Sequence, residues 1–223
     1  MKSVEVNGVR LHYLQEGSGR PVVLVHGNGE SHALFETEIK QLTAAGYEVF
    51  APDSRGHGAN EPVSEYHYAD MADDIFCLIR ELGLEKPYYF GHSDGGIIGL
   101  LLELRHPGTL GKMAVSGTNL SPDGIVPEFV EEFTAINERE PNPLITLMLT
   151  VPHIDPAELR KITIPVLVTV GEHDLILPEE TQRIVQNLPD VKLIVVPGAD
   201  HGSYLDHDER MGEFLLDFYA EQN

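Results

Sequence analysis

The segment 88–99, with the sequence YYFGHSDGGIIG, predicts a strand, a tight turn and a helix that follow one another without a linker. Its first residues are apolar and aromatic, as in a buried strand, and its last residues begin an apolar helical pattern. Ser93 lies at the turn, where Gly91 and Gly95 leave the space that so sharp a turn needs. The amides at the start of the helix would face negative charge developing beside the serine hydroxyl. We therefore interpret Ser93 as a nucleophile rather than as a capping serine in a glycine-rich loop.

A serine hydroxyl is a poor nucleophile at neutral pH, so it needs a base and a carboxylate that orients the base. Two further apolar, β-branched runs end in suitable residues. The run 166–170 leads into a turn that ends at Asp174, and the run 192–196 is followed by His201. Each of these residues comes just after a predicted strand, in the chain order Ser93, Asp174, His201. The pattern predicts a catalytic triad.

These motifs resemble those of the α/β-hydrolase family, and the resemblance covers nearly the whole chain. The loop 26–29, HGNG, is similar to the family's oxyanion loop, and the segment 53–58, DSRGHG, is similar to its Asp-x-Arg-Gly-x-Gly turn. The resemblance implies that the backbone N–H groups of Asn28 and Asp94 form an oxyanion hole. The motifs around the three triad residues most resemble the esterase branch that includes the biphenyl-hydrolase-like (valacyclovirase-type) enzymes.

The triad acid has rivals. The family sometimes places its acid after the preceding strand, where Asp123 lies, but the position of Asp174 favours the latter. Asp200 is the sequence neighbour of His201 and is badly placed to reach the ring nitrogen that faces away from the serine, so we interpret it as a turn residue. Glu172 could substitute, but it lies nearer the strand.

The chain has eleven histidines, and among them His201 combines a position after a strand with a position after the acid. It also lies in an acidic segment with four other possible metal ligands: Asp200, Asp206, His207 and Asp208. These residues lack paired ligand spacing. Because acids offset the dipole at the start of a helix, we interpret this segment as a helix N-terminus. We predict no metal and no cofactor.

The rest of the chain alternates short β-branched runs with helical patterns after a hairpin signal at Asn7-Gly8. Predicted strands are Val22–Val25, Glu48–Ala51, Tyr88–Phe90, Met113–Ser116, Val166–Val170 and Lys192–Val196. Predicted helices are His32–Ala45, Tyr68–Leu82, Asp94–Arg105, Glu179–Asn187 and Glu209–Ala220. This alternation predicts an α/β fold, with a mostly parallel central sheet covered by helices on both faces, in a single domain over residues 1–223.

The segment 118–165 interrupts the alternation and holds seven of the fifteen prolines. In the family this insertion forms a cap over the site. Here only 128–138, 143–149 and 156–161 could be helical, which predicts a reduced cap. The candidate substrate-binding residues are Phe129, Phe133, Leu147, Met148 and, beside the nucleophile, Asp94.

Each of these residues has a second interpretation. Packing of the short helices on the core would explain the four apolar residues equally well. The Asp94 carboxylate could pair with a substrate ammonium group, or it could only stabilise the N-terminus of its helix.

Composition limits the partners. A formal net charge of −21 disfavours nucleic acid and anionic membrane surfaces, whereas neutral or cationic small substrates fit. The single cysteine excludes an internal disulfide, the first residues show no apolar signal region, and no apolar run approaches the ~18 residues of a membrane span. We expect a cytoplasmic protein without nucleic-acid or membrane partners, and we leave a homo-oligomer open.

The sequence predicts a serine hydrolase, and most specifically a carboxylesterase that cleaves small esters through an acyl-enzyme on Ser93. The same triad would serve an amidase or peptidase, a carbon–carbon bond hydrolase or a perhydrolase. A ligand-binding receptor on this fold is a further alternative.

Overall fold

The computed structural model describes residues 1–221. Its strands are β1 Lys2–Val6, β2 Val9–Gly17, β3 Arg20–Val25, β4 Tyr47–Pro52, β5 Tyr88–His92, β6 Lys112–Ser116, β7 Val166–Gly171 and β8 Val191–Val196. Its α-helices are α1 Glu36–Ala44, α2 Tyr68–Glu81, α3 Asp94–Arg105, α4 Pro127–Arg139, α5 Pro143–Thr150, α6 Pro178–Asn187 and α7 Arg210–Ala220.

All the strands belong to one sheet, in the order β1-β2-β4-β3-β5-β6-β7-β8. The β1–β2 and β2–β4 pairs are antiparallel, and the other pairs are parallel. Each parallel neighbour is reached by a crossover, which explains why helices cover the sheet. The predicted α/β architecture with a mostly parallel sheet is confirmed.

The hairpin at the start of the chain turns at Asn7 and Gly8, as the sequence predicts. Both residues have positive φ, 43° and 79°. The strand residues on either side of them, Val6 and Val9, pair directly. Two positive φ angles in a two-residue turn match the twist of the flanking strands.

The core lies on both faces of the sheet because successive side chains of a strand point in opposite directions. Strand β3 shows this clearly. Val23 and Val25 belong to the cluster that includes residues of α2, α3 and α6, whereas Val22 and Leu24 belong to the cluster that includes residues of α1 and α7. All four side chains are fully buried. Two-sided burial explains why β3 has an uninterrupted apolar run.

The predicted helix His32–Ala45 is divided in the structure. His32–Phe35 forms a 3₁₀ turn, and α1 begins only at Glu36. The Ser31 side chain accepts a hydrogen bond from the Ala33 amide, and the buried Asp53 accepts one from the His32 amide. Because these two side chains accept hydrogen bonds from amides at the start of the segment, they favour a 3₁₀ turn over an α-helical start.

The cap consists of α4, α5 and a 3₁₀ segment at Pro156–Lys161, close to the three predicted helical stretches. No residue of α4 is buried, and in α5 only Leu147 is buried. The cap is therefore small and lies over the sheet without a core of its own. Within residues 1–221, no helix is both long and apolar enough to cross a bilayer.

Candidate active site

Ser93 lies at the turn between β5 and α3 with φ 53° and ψ −115°, a strained conformation for a residue with a side chain. Its amide donates a 2.7 Å hydrogen bond to the carbonyl of Ser116 at the end of β6. The two flanking glycines are required by close backbone contacts. A Cβ on Gly91 would lie 2.2 Å from the carbonyl oxygen of Gly95, and a Cβ on Gly95 would lie 1.9 Å from that of Val25. The sharp turn therefore excludes any larger residue at either position.

His201 and Asp174 come together after β8 and β7. His201 Nδ1 lies 2.7 Å from Asp174 Oδ1. The carboxylate is buried and also accepts hydrogen bonds from the amides of Gly171, at 3.1 Å, and Ile176, at 3.0 Å. A carboxylate so held accepts a hydrogen bond from Nδ1–H, which leaves Nε2 as the nitrogen able to take a proton. The triad acid that the sequence favours is thus the carboxylate that meets the imidazole.

Ser93 and His201 line one cavity of about 170 Å³. Within the described residues, no hydrogen bond joins the serine Oγ to the imidazole Nε2. Such a bond is often long until a substrate binds. The structure therefore places the two groups at a shared cavity.

The rival acids lie elsewhere. Asp123 is exposed in a 3₁₀ turn. Asp200 accepts hydrogen bonds from the amides of Gly202 and Ser203, and backbone hydrogen bonds at these two residues lower its pKa. Glu172 accepts a hydrogen bond from the Gly198 amide. Asp200 therefore serves a local turn, as the sequence predicts, and none of the three accepts the hydrogen bond from His201 Nδ1.

Two other histidines are buried close to the site in structural roles. His26 Nδ1 lies 2.8 Å from the Gly27 carbonyl, and its Nε2 lies 2.9 Å from the Ser54 amide. Burial lowers the pKa of His26 to about 4, so the neutral ring can donate from one nitrogen and accept at the other. The His92 ring is 4.8 Å from that of His201, and burial lowers its pKa well below the ordinary value. His26 thus ties the oxyanion loop to the loop after β4.

Asn28 and Asp94, the two residues predicted to donate from their backbones to an oxyanion, both line the cavity. Their side chains hold the loop and the helix together. The Asn28 side-chain amide donates to Asp94 Oδ2 at 3.0 Å and to the Leu144 carbonyl at 3.1 Å. Among the described residues, the backbone amides of Asn28 and Asp94 have no acceptor. Both remain available for an oxygen in the cavity.

The Asp94 carboxyl is buried and fully engaged. Tyr68 Oη donates to its Oδ1 at 2.7 Å, and Asn28 occupies its Oδ2. Burial raises the pKa of Asp94, and the two hydrogen bonds oppose that rise. The carboxyl therefore ties α2, the oxyanion loop and α3 together, and it offers no unshared oxygen to an ammonium group.

The four apolar candidates of the cap divide into two groups. Phe129, Phe133 and Met148 line the cavity, and the two phenyl rings stack at a centroid distance of 4.2 Å. Leu147 does not line it. Its side chain is 4% exposed and packs in the core cluster on the α2–α3 side of the sheet. Because Met148 is the next residue on the same helix, it points in a different direction.

Two residues of the site, Glu30 and Gly117, are not predicted from the sequence. Glu30 lines the cavity and accepts a 2.8 Å hydrogen bond from the Gly27 amide. Gly117 follows β6 with φ +56°, and a Cβ there would lie 2.6 Å from His201 Cε1. The available signals were a carboxyl three residues after the His-Gly pair and a glycine at the end of a strand.

The acidic segment 200–208 forms turns that lead into α7, which begins at Arg210. Asp208 accepts a hydrogen bond from the Arg210 amide at 2.9 Å. In the range 1–221, no three His, Cys, Asp or Glu side chains are arranged to hold a metal ion. Asp208 thus serves the first residue of α7, whereas Asp200 serves the turn that precedes it.

An α/β sheet whose site residues follow β3, β5, β7 and β8 defines the class of α/β hydrolases. The family profile described as alpha/beta hydrolase fold matches residues 20–146. The chain belongs to this family, and it is a hydrolase of the α/β-hydrolase superfamily.

Relatives and solved structures agree. The human serine hydrolase BPHL is 27% identical, with 96% of this chain and 84% of that protein covered. The AB hydrolase superfamily protein YisY of Bacillus subtilis is 25% identical, with 91% and 92% covered. The fold is similar to that of an esterase from Exiguobacterium antarcticum, with a TM-score of 0.87, 22% identity and coverage of 98% and 99%. The resemblance predicted from the motifs is confirmed.

Proposed function

We propose that this hydrolase is a carboxylesterase that cleaves small esters through an acyl-enzyme on Ser93. The observation that supports the proposal most strongly is the His201–Asp174 hydrogen bond of 2.7 Å at the cavity that Ser93 also lines. A base oriented by a buried carboxylate, beside a serine in a strained turn, is the arrangement that activates a serine hydroxyl.

The first half of the reaction forms the acyl-enzyme. His201 Nε2 takes the proton of Ser93 Oγ as the oxygen attacks the ester carbonyl carbon, and the carbonyl oxygen becomes an oxyanion. The backbone amides of Asn28 and Asp94 donate to that oxyanion, and each such donor typically contributes ~3 kcal/mol to transition-state stabilisation. His201 then protonates the alcohol oxygen as its bond to the acyl carbon breaks.

The second half reverses the roles. A water molecule attacks the acyl carbon while His201 Nε2 takes its proton. The tetrahedral intermediate collapses, the proton returns to Ser93 Oγ, and the carboxylic acid leaves. Asp174 keeps the imidazole in the tautomer that presents Nε2 and stabilises its charged form in both halves.

The cavity favours small acyl groups. Its volume of about 170 Å³ is below the roughly 300–1,000 Å³ of sites for drug-sized ligands. Phe129, Phe133 and Met148 contribute an apolar wall from the cap. These residues would contact the acyl chain and place the ester carbonyl near the oxyanion loop.

The test is hydrolysis of a panel of p-nitrophenyl esters, from acetate to long acyl chains, by the wild type and by Ser93→Ala. We expect turnover of the short esters that disappears in the variant. Amide, carbon–carbon and peracid substrates in the same assay separate the alternative activities of this triad. The proposal fails if the wild type hydrolyses no ester, or if Ser93→Ala retains the activity.

A further inference from the structure

Glu30 places a second carboxyl beside the nucleophile. Its Oε2 accepts the Gly27 amide hydrogen bond at 2.8 Å, which holds the carboxyl against the oxyanion loop. A Cβ built on Gly27 would lie 2.7 Å from Glu30 Oε2 and 3.1 Å from the Cβ of Ser93. The carboxyl and the nucleophile therefore flank the same point of the cavity.

The two carboxyls of the cavity differ in what they can offer to a ligand. Both oxygens of Asp94 accept protein hydrogen bonds, from Tyr68 and from Asn28. Glu30 Oε1 has no hydrogen-bond partner among residues 1–221, and the side chain is half-buried at the cavity wall. Glu30 is thus the carboxyl with an oxygen open to the cavity.

In the described part of the chain, the groups around Glu30 include no Lys or Arg that acts on it and could neutralise a negatively charged ligand. The charged or titratable groups that act on it are His201, Asp94 and Asp206. Burial raises the pKa of Glu30 above its ordinary value, and the hydrogen bond from Gly27 opposes that rise. Apolar side chains, among them Phe129, Phe133 and Met148, also line the cavity, so water screens charges there less than at an exposed surface.

We propose that Glu30 is a specificity-determining residue that sets the charge of the acyl groups the site accepts. Its open carboxylate oxygen repels an acyl chain that carries a negative charge and admits neutral or cationic chains. This inference rests on the proposed esterase function and names the substrate class of that site.

The experiment compares two esters of matched length, neutral p-nitrophenyl valerate and anionic mono-p-nitrophenyl glutarate. Glu30→Gln keeps the size of the side chain and an oxygen that can accept the Gly27 hydrogen bond. We expect the variant to raise the glutarate-to-valerate ratio of kcat/KM about tenfold. Asp206→Asn is the matched control, because it removes an exposed charge that acts on Glu30 but does not line the cavity. It should change the ratio less than about twofold.

A glutarate-to-valerate ratio that is unchanged in Glu30→Gln would overturn the inference while Ser93-dependent valerate hydrolysis still supported the esterase. If the enzyme hydrolyses neither ester, a binding measurement tests the same inference. Calorimetry with butylboronic acid and 3-carboxypropylboronic acid tests the same charge preference at the serine without turnover. A larger increase in affinity for 3-carboxypropylboronic acid than for butylboronic acid in Glu30→Gln would support the inference. If neither the wild type nor the variant binds either boronic acid, both the inference and the assignment of Ser93 as the nucleophile are overturned.

Discussion

The His201 imidazole is held by two residues that are not expected to touch a substrate. Asp174 accepts a hydrogen bond from one edge of the ring. Gly117 lies against the same side of the ring, where a Cβ would be 2.7 Å from His201 Nδ1 and 3.6 Å from Asp174 Oδ2. The orientation of the His201 ring therefore depends on the Asp174 carboxylate and on the lack of a side chain at Gly117.

Replacing Asp174 with Asn should lower kcat by about 10⁴-fold, because the amide no longer favours the tautomer with Nδ1–H. The near-equal size of the two side chains leaves the backbone of the site in place. Steady-state kinetics with p-nitrophenyl acetate and circular dichroism measure the two effects. An Asp174→Asn enzyme with nearly full activity would mean that another group orients His201.

Gly117→Ala should reduce kcat by at least about 100-fold, since the new methyl group would lie 2.6 Å from His201 Cε1 and displace the ring, and small misplacements of catalytic groups have effects of this size. The control is Gly83→Ala, which has a similar positive φ of 65° but open space around the added Cβ. Both variants carry the backbone strain of alanine at positive φ. Equal activity losses in the two would attribute the effect to strain rather than to His201.

The positions of Ser93, Asp174 and His201 around one candidate site could be predicted at this scale, because each residue has a distinctive local sequence context. Ser93 follows a strand and lies between two glycines, and His201 follows another strand. Glu30 and Gly117 could not be predicted in the same way. Their roles depend on contacts with Gly27, Ser93 and His201 that the fold creates across the chain.

At the scale of elements, the cap supplies apolar side chains to the cavity, and under the proposed function these side chains select the acyl groups that fit. Helix α4 contributes Phe129 and Phe133 to the cavity but buries no residue. Helix α5 contributes Met148 to the cavity and Leu147 to the core. This helix of eight residues thus has one side chain at the cavity and another in the core. The sequence predicted the helix but not its rotation, because three apolar residues in a row fit either face.

Phe133→Ala should increase the kcat/KM ratio of octanoate to acetate p-nitrophenyl esters several-fold, because it removes part of the apolar wall. Its effect on the free energy of unfolding should stay below about 2 kcal/mol, since the side chain is only half-buried. Chain-length profiles and urea denaturation provide the two readouts.

Leu147→Ala is the matched comparison from the other cap helix. Loss of a buried leucine should lower the free energy of unfolding by about 2–5 kcal/mol and leave the chain-length ratio unchanged. If Leu147→Ala shifted the chain-length preference as much as Phe133→Ala, the assignment of Leu147 to the core would be contradicted.

At the scale of the whole molecule, the formal net charge of −21 counts every carboxyl as ionised, but one of them, that of Glu38, is buried. Both side-chain oxygens of Glu38 in α1 lack a hydrogen-bond partner on any other described residue, and the residue is 0% exposed. Burial raises its pKa to about 8; a hydrogen bond with its own backbone opposes the rise, and Asp208 and Asp206 add to it. The order of the strands and the burial of Glu38 on α1 could not be predicted from the sequence, because both depend on how the helices pack on the sheet.

Glu38 should make the protein less stable as the pH rises. In the unfolded chain the carboxyl ionises near its ordinary pKa of 4.5, whereas in the folded protein it stays protonated up to about pH 8. The unfolded state therefore binds fewer protons between these values, and stability falls across that window. The free energy of unfolding of Glu38→Gln should exceed that of the wild type at pH 8 by about 3 kcal/mol. It should also fall less than that of the wild type as the pH rises from 5 to 8.

Urea denaturation at pH 5 and pH 8 tests this prediction, with Glu36→Gln as the control. Glu36 lies on the same helix, is exposed and pairs with Lys40, so its replacement should leave the pH dependence nearly unchanged. A wild type and a Glu38→Gln variant with parallel pH profiles would show that Glu38 is ionised in the folded protein.

In the proposed mechanism, the acyl group passes through Ser93. The most direct measurement is mass spectrometry of the protein quenched during hydrolysis of p-nitrophenyl acetate, with the modified peptide sequenced. We predict an acetyl adduct on Ser93 that appears in the wild type, is absent from Ser93→Ala and is strongly reduced in His201→Ala, because His201 activates the serine for acylation. An adduct at another residue in the active wild type, or hydrolysis by Ser93→Ala at the wild-type rate, would contradict the account.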